Sequence, residues 1–263
     1  MCTVSIVPHA DGLRVVSNRD ERRDRVEALE PAVTTLGPRT ATMPIDPTGG
    51  GSWIGVNDEG LVAAVLNRYH GRQAPIDCAR TTRGAIVPMM LACDSVSAAL
   101  ARAKTIDPMR FEPFRLVLVQ RREIALVSVE RCEVKQATST VTGPFMFTAS
   151  ALGDFLVEEP RRRLFEWLMT DPDARLRSQA LFHRHQWTDK RDISVLMERG
   201  DAATVSRTTI DVGVNGIEVE YEPLWPQRPS RRLEMNQYFV HDEIVLDQCR
   251  VHQSSTRSDP AVS

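Results

Sequence analysis

Aliphatic and β-branched residues crowd the very start of the chain, and Met1–Val7 (MCTVSIV) reads as a strand that begins almost at the first residue. His9-Ala10-Asp11-Gly12 supplies turn chemistry, with Asp-Gly its strongest element, and Leu13–Asn18 (LRVVSN) is the partner strand. Centring this hairpin on Ala10 puts Cys2 opposite Asn18. Residues 22–48 are charged and then rich in proline and threonine, a composition that predicts a long surface excursion. Gly49-Gly50-Gly51 opens a second hairpin, whose strands Ser52–Asn57 and Leu61–Asn67 flank a turn at Asp58-Glu59-Gly60.

The period then changes. Thr81–Cys93 predicts a helix despite Pro88, and Ser95–Ala103 a second one with Asp94 as its N-cap. Arg115–Gln120 and Glu123–Val129 predict another hairpin. Leu164, Phe165 and Leu168 give helical spacing to Glu159–Met169, with Pro160 in the first turn, and Ala174–His183 continues as a further helix. Ile193–Met197, Ala203–Val212 and Ile217–Tyr221 read as closing strands. This order of strands, helices, strands, helices, strands predicts an α+β fold of antiparallel sheets with helices on their outer faces. Residues 1–225 form the expected domain, and 226–263 an extension whose last ten residues are expected to be disordered.

Composition narrows the function. The chain has 263 residues, 42% hydrophobic and 26% charged, with a net charge of −2 and a pI near 6.3. No basic excess marks a nucleic-acid partner. The longest apolar run, Gly84–Cys93, is too short to span a bilayer, and no secretory signal is visible, so no integral membrane contact is expected. Five cysteines, at positions 2, 78, 93, 132 and 249, are an odd number without a CxxC pair; a reducing, cytoplasmic setting is the expectation. His183-Arg184-His185 reads as a solvated helix end, and no metal or cofactor is expected.

Cys2 is the residue with the most chemistry. Removing Met1 would leave a thiol and a free α-amine on one residue, with reference pKa values of about 8.5 and about 7.7–8.0. The amine can then take the thiol proton, which is the logic of an N-terminal nucleophile. Asn18-Arg19-Asp20-Glu21 falls beside it across the first hairpin. A guanidinium there favours thiolate, and a carboxylate orients the amine. Asn67 has two readings, an oxyanion donor or a strand-end residue bonding its own turn. Trp53 likewise is either core or substrate wall.

Cys2, Asn18-Arg19-Asp20-Glu21, Gly50-Gly51-Ser52-Trp53-Ile54-Gly55 and Leu66-Asn67-Arg68, in this order and spacing, resemble the NRDE family, the transport and Golgi organisation protein 2 group. That family resembles the N-terminal nucleophile hydrolases, which implies a four-layer αββα sandwich of two antiparallel sheets. Carried over, the resemblance implies Cys2 as nucleophile and base, Arg19 and Asp20 as supporting charges, with Glu21 the alternative to Asp20, and Asn67 as oxyanion donor. Asn18 and Trp53 are the expected substrate contacts. One departure stands out: the hydrolases carry a mid-chain asparagine, where this chain has Phe147-Thr148-Ala149-Ser150-Ala151-Leu152. Ser150 or Thr148 is the substitute donor, and loss of an oxyanion donor typically costs about 2.7–4 kcal/mol. The resemblance implies an amidohydrolase or acyltransferase acting on a small molecule. The alternative is a non-catalytic carrier of a hydrophobic small molecule, haem or lipid, with His9 or His70 as an axial ligand.

Overall fold

Two residues, Ala10 and Asp11, turn the first hairpin, so β1 (Cys2–His9) and β2 (Gly12–Arg22) pair with His9 opposite Gly12. The computed structural model describes residues 2–69, 81–130, 133–225 and 229–235. The hairpin is centred half a residue beyond Ala10, and the register moves by one: Cys2 faces Arg19, and Thr3 faces Asn18. Because side chains alternate between faces, this slip puts Asn18 on the opposite side of the sheet from Cys2. Gly12 is required where it stands, since a Cβ there would lie 1.8 Å from the Val212 carbonyl oxygen.

Among the described residues, thirteen strands form two sheets. One contains β3 (Leu29–Leu36), β4 (Arg39–Ile45), β5 (Ile54–Asn57), β6 (Val62–Asn67), β7 (Phe114–Gln120), β8 (Glu123–Glu130) and β9 (Glu133–Thr140), in chain order. The other adds β10 (Phe145–Thr148), β11 (Ala202–Gly213), β12 (Gly216–Pro223) and β13 (Arg231–Met235), in the order β10-β1-β2-β11-β12-β13. All pairings are antiparallel.

Val4, Ile6, Leu13 and Val15 of one sheet meet Ile54, Val56, Ala64 and Val117 of the other in a single buried core. Helices α1 (Ile86–Leu91) and α2 (Val96–Ala103) cover the β3–β9 sheet. Helices α3 (Asp154–Leu168) and α4 (Arg175–Arg184) cover the other through Val7, Phe165 and Phe182. The result is the expected four-layer αββα sandwich. No helix among the described residues is long and apolar enough to cross a membrane.

Several local expectations are corrected. The excursion at 22–48 contains β3 and β4, because its threonines have strand propensity and Gly37, at φ 66°, makes a tight turn between them. Ile193–Met197 is no strand: its backbone carbonyls are taken by side chains instead of a ladder, Ile193 and Ser194 by Arg161 and Val195 by Asn18. Ser95, not Asp94, caps α2, accepting from the Ala98 amide at 3.2 Å. Helix α3 starts at Asp154, so Pro160 lies inside it. Beyond residue 225, β13 adds an edge strand beside β12. The expected disordered tail, 254–263, lies outside the described residues.

His183, in the last turn of α4, is fully buried, where a solvated helix end was expected. Its Nδ1 meets Asn18 Oδ1 at 3.0 Å and its Nε2 meets Ser5 Oγ at 2.7 Å. Burial, reinforced by the charges of Arg207 and Arg161, holds its pKa well below 6.5. The unfolded chain therefore binds a proton below about 6.5 that the folded chain refuses, and stability declines as pH falls through that value, by up to about 1.4 kcal/mol per pH unit. Urea titrations at successive pH values should show this slope in the wild type and a flatter one in H183Q. Gly51 tests the sandwich edge: a Cβ there would sit 2.3 Å from the Gly84 backbone, whereas one at Gly143 meets nothing within 4 Å. G51A should lose about 1–3 kcal/mol in the same assay, and G143A almost nothing.

Candidate active site

Cys2 begins β1, and its side chain enters the inter-sheet core, 6% exposed. Directly across the ladder stands Arg19, and Asp20 follows it. Both lie beside a β-bulge in β11 between Thr204 and Ser206, where the ladder to β2 shifts register. Bulges re-aim side chains in this way next to functional sites. From the other sheet, Trp53 and Asn67 reach the same place. The five residues line one cleft of about 280 Å³, together with the Gly49–Gly51 turn and Arg83.

The charges in this cleft are ordered. Arg19 Nη2 donates to Asp46 Oδ2 at 2.9 Å, lies 3.6 Å from Glu21 Oε2, and stacks 4.3 Å above the Trp53 ring. Arg25 donates to the same Asp46 oxygen at 2.7 and 3.0 Å. Asp46 in turn accepts from the amides of Thr48 and Gly49, which fixes the glycine turn. Against its partial burial, the hydrogen bond from Arg25 and the charges of Arg19 and Arg25 hold the Asp46 carboxyl below its ordinary range.

Asp20 is 1% exposed and accepts from Thr204 Oγ1 at 2.6 Å. Burial raises its pKa, opposed chiefly by Arg161. Arg161, also buried, donates to Thr3 and Thr148 Oγ1, both at 2.7 Å, and to two carbonyls. That ring of bonds ties α3 to the start of β1. Burial likewise pushes the Cys2 thiol up. Asp20 and Glu21 push it the same way, and Arg19 pulls it down. The expected depression of the thiol pKa by Arg19 is thus outweighed by desolvation.

Cys2, Arg19, Asp20, Asn67 and Trp53 are brought together; Asn18 and Ser150 are not. Asn18 donates to the carbonyls of His183 and Val195 beneath α4, at 2.9 and 3.0 Å. Ser150 lies in the turn before α3: its Oγ accepts from the Leu152 amide and its own amide donates to Asp154. Thr148 is held by Arg161 and Thr3. Asn67 Nδ2 donates to Tyr69 Oη at 2.8 Å, leaving its second hydrogen for the cleft. His9 sits at the other end of β1, about 23 Å from Cys2 along an extended strand, bonded to Asp211 at 2.9 Å. His70 lies outside the described residues.

Sequence reasoning missed Asp46, Arg25, Arg83 and Arg161. Only Asp46, in the turn-forming run Asp46-Pro47-Thr48-Gly49, carries a local signal. Neutralising Asp46 leaves two guanidiniums sharing the single carboxylate of Glu21 near the thiol. D46N should move the pH–rate profile of Cys2 alkylation, followed by peptide mass, to lower pH than in the wild type.

Solved structures share this architecture. Penicillin V acylase from Agrobacterium tumefaciens aligns over 89% of this chain and 86% of its own, with 12% identity and a TM-score of 0.57. An N-acylethanolamine-hydrolyzing acid amidase ortholog from Caenorhabditis elegans aligns over 80% and 92%, with 11% identity and a TM-score of 0.56. The C2A mutant of conjugated bile acid hydrolase from Clostridium perfringens aligns over 89% and 92%, with 11% identity and a TM-score of 0.54. At such identities the likeness establishes an N-terminal nucleophile hydrolase fold. No curated protein matches the sequence. The Transport and Golgi organisation 2 model matches residues 1–199, and the chain belongs to that family.

Proposed function

We propose that this chain is an N-terminal-cysteine amidohydrolase or acyltransferase acting on a non-peptide C–N or acyl bond. The observation that carries the reading is the convergence of Cys2, Asp20, Arg19 and Asn67, from two sheets, on one cleft. The fold shared with penicillin V acylase and the acid amidase supports it.

Once Met1 is removed, the Cys2 amine accepts the thiol proton, and the sulfur attacks the substrate carbonyl. Asp20, which faces the charge of Arg161, holds the resulting ammonium. The free Asn67 Nδ2 hydrogen donates to the oxyanion, and Arg19, fixed by Asp46 and Trp53, keeps the field constant. Collapse forms a thioester as the C–N bond breaks, and the ammonium returns its proton to the leaving amine. Water, or a second acceptor, then takes the acyl group and regenerates the thiol. The chemistry calls for neither metal nor cofactor.

Six charged side chains line the cleft, Arg19, Asp20, Glu21, Arg25, Asp46 and Arg83, so a small polar substrate suits it better than the hydrophobic cargo of a carrier. The mature protein should have the intact mass of the chain lacking Met1. C2A should reduce turnover of small amides or thioesters to background while its circular dichroism and thermal midpoint stay those of the wild type. Retained Met1, or undiminished turnover by C2A, refutes the mechanism.

A further inference from the structure

Four of the six charges in the Cys2 cleft form ion pairs with one another, and a fifth, Asp20, is hydrogen-bonded beside a buried guanidinium. Arg19 and Arg25 share Asp46 and flank Glu21, at 3.6 and 3.7 Å, and Asp20 is bonded to Thr204 and faces the field of Arg161. Arg83 is different. Among the described residues no carboxylate lies within ion-pair distance of it, and Glu112 acts only at longer range. An uncompensated guanidinium in a partly desolvated wall is costly, unless an anion arrives to meet it.

The side chain is nonetheless held in place. Arg83 Nη1 donates to the Pro113 carbonyl at 3.1 Å, and the Tyr69 hydroxyl bonds it from the Asn67 side. Its backbone opens a short 3-10 turn, Arg83–Ala85, capped by Thr82 and pressed against Gly51 through Gly84. Arg83 therefore presents a fixed fork to the cleft that also holds the sulfur, close enough for the two to interact electrostatically. A planar guanidinium with free N–H groups matches a carboxylate bidentately. The cleft volume, about 280 Å³, lies at the small end for ligand pockets.

We propose that Arg83, with the Tyr69 hydroxyl, is the subsite for a carboxylate on the substrate, so that the substrate class is a small acyl compound carrying an anionic group near the reacting carbonyl. The inference rests on the reading of Cys2 as the nucleophile. Iodoacetate and iodoacetamide separate the two claims, since both deliver the same electrophilic carbon and differ only in carboxylate against neutral amide. Alkylation of Cys2 in the full-length purified protein would be timed by peptide mass, and the iodoacetate-to-iodoacetamide rate ratio divided by that of free cysteine.

In the wild type this normalised ratio should be about tenfold above one, the size of effect expected of one partly screened charge pair. It should fall to about one in R83Q and remain raised in R83K, which keeps the charge. Thermal midpoints of both variants check that the cleft is still folded, and a raised ratio in R83K shows an intact site directly. A wild-type ratio near one, or the same ratio in R83Q as in the wild type, overturns the carboxylate subsite while leaving Cys2 as nucleophile. Should Cys2 react with iodoacetamide no faster than the free Cys93, the nucleophile reading falls, and the subsite with it.

Discussion

The cross-strand pair Cys2–Arg19 is the constraint on which the site depends. A two-residue turn and a glycine pressed on β11 leave the hairpin no freedom to slide. Given that register, Cys2 and Arg19 share the face that meets the second sheet, while Thr3, Ser5 and Asn18 take the face beneath the helices. Moving the pairing by one residue would exchange these sets. The polar network around His183 and the charged cleft around Cys2 are thus two consequences of one register.

The electrostatics divide along the same sheet. On the cleft side, Arg19, Arg25, Glu21 and Asp46 neutralise one another and brace the Gly49–Gly51 turn. On the helix side, Arg161 is buried among hydroxyls and carbonyls, and Asp20 is the carboxylate whose field it feels. Buried charges are tolerated only when paired and hydrogen-bonded, so each arrangement also restricts how the surrounding strands can move. The bulge at Thr204–Ser206 is where the two meet, because it lets β11 reach Asp20 without following the regular ladder.

The missing mid-chain asparagine has a structural counterpart. Ala149 follows β10 and donates its amide to the Cys2 carbonyl at 3.0 Å, so this stretch still frames the nucleophile through its backbone. Its polar side chains are spent elsewhere: Thr148 on Arg161 and Ser150 on the Leu152 amide in the turn before α3. From the opposite wall, Asn67, Tyr69 and Arg83 form a connected polar set.

Much of this was legible along the chain. Period-two runs gave the strands of both central hairpins, helical spacing gave α3 and α4 in outline, and the motifs around Cys2, Arg19, Trp53 and Asn67 identified the family. Such signals are local, or are kept in order by spacing. The strands β3 and β4 were hidden because proline and threonine suggest loops when read by composition, although threonine suits a pleated surface. The role of Asn18 was misplaced by a single residue of register, a quantity that turn geometry sets and composition does not.

What the sequence determined by itself is therefore the fold class, the family and the chemistry that position 2 can offer. The tertiary structure alone decided which charges meet. Asp46 and Arg19 are separated by 27 residues, Asp20 and Thr204 by 184, and Arg161 and Thr3 by 158. No local pattern encodes such distances. They follow from how two sheets stack and how one bulge bends a strand, and it is this stacking that puts Arg83 in the cleft of Cys2 with no carboxylate in ion-pair contact among the described residues.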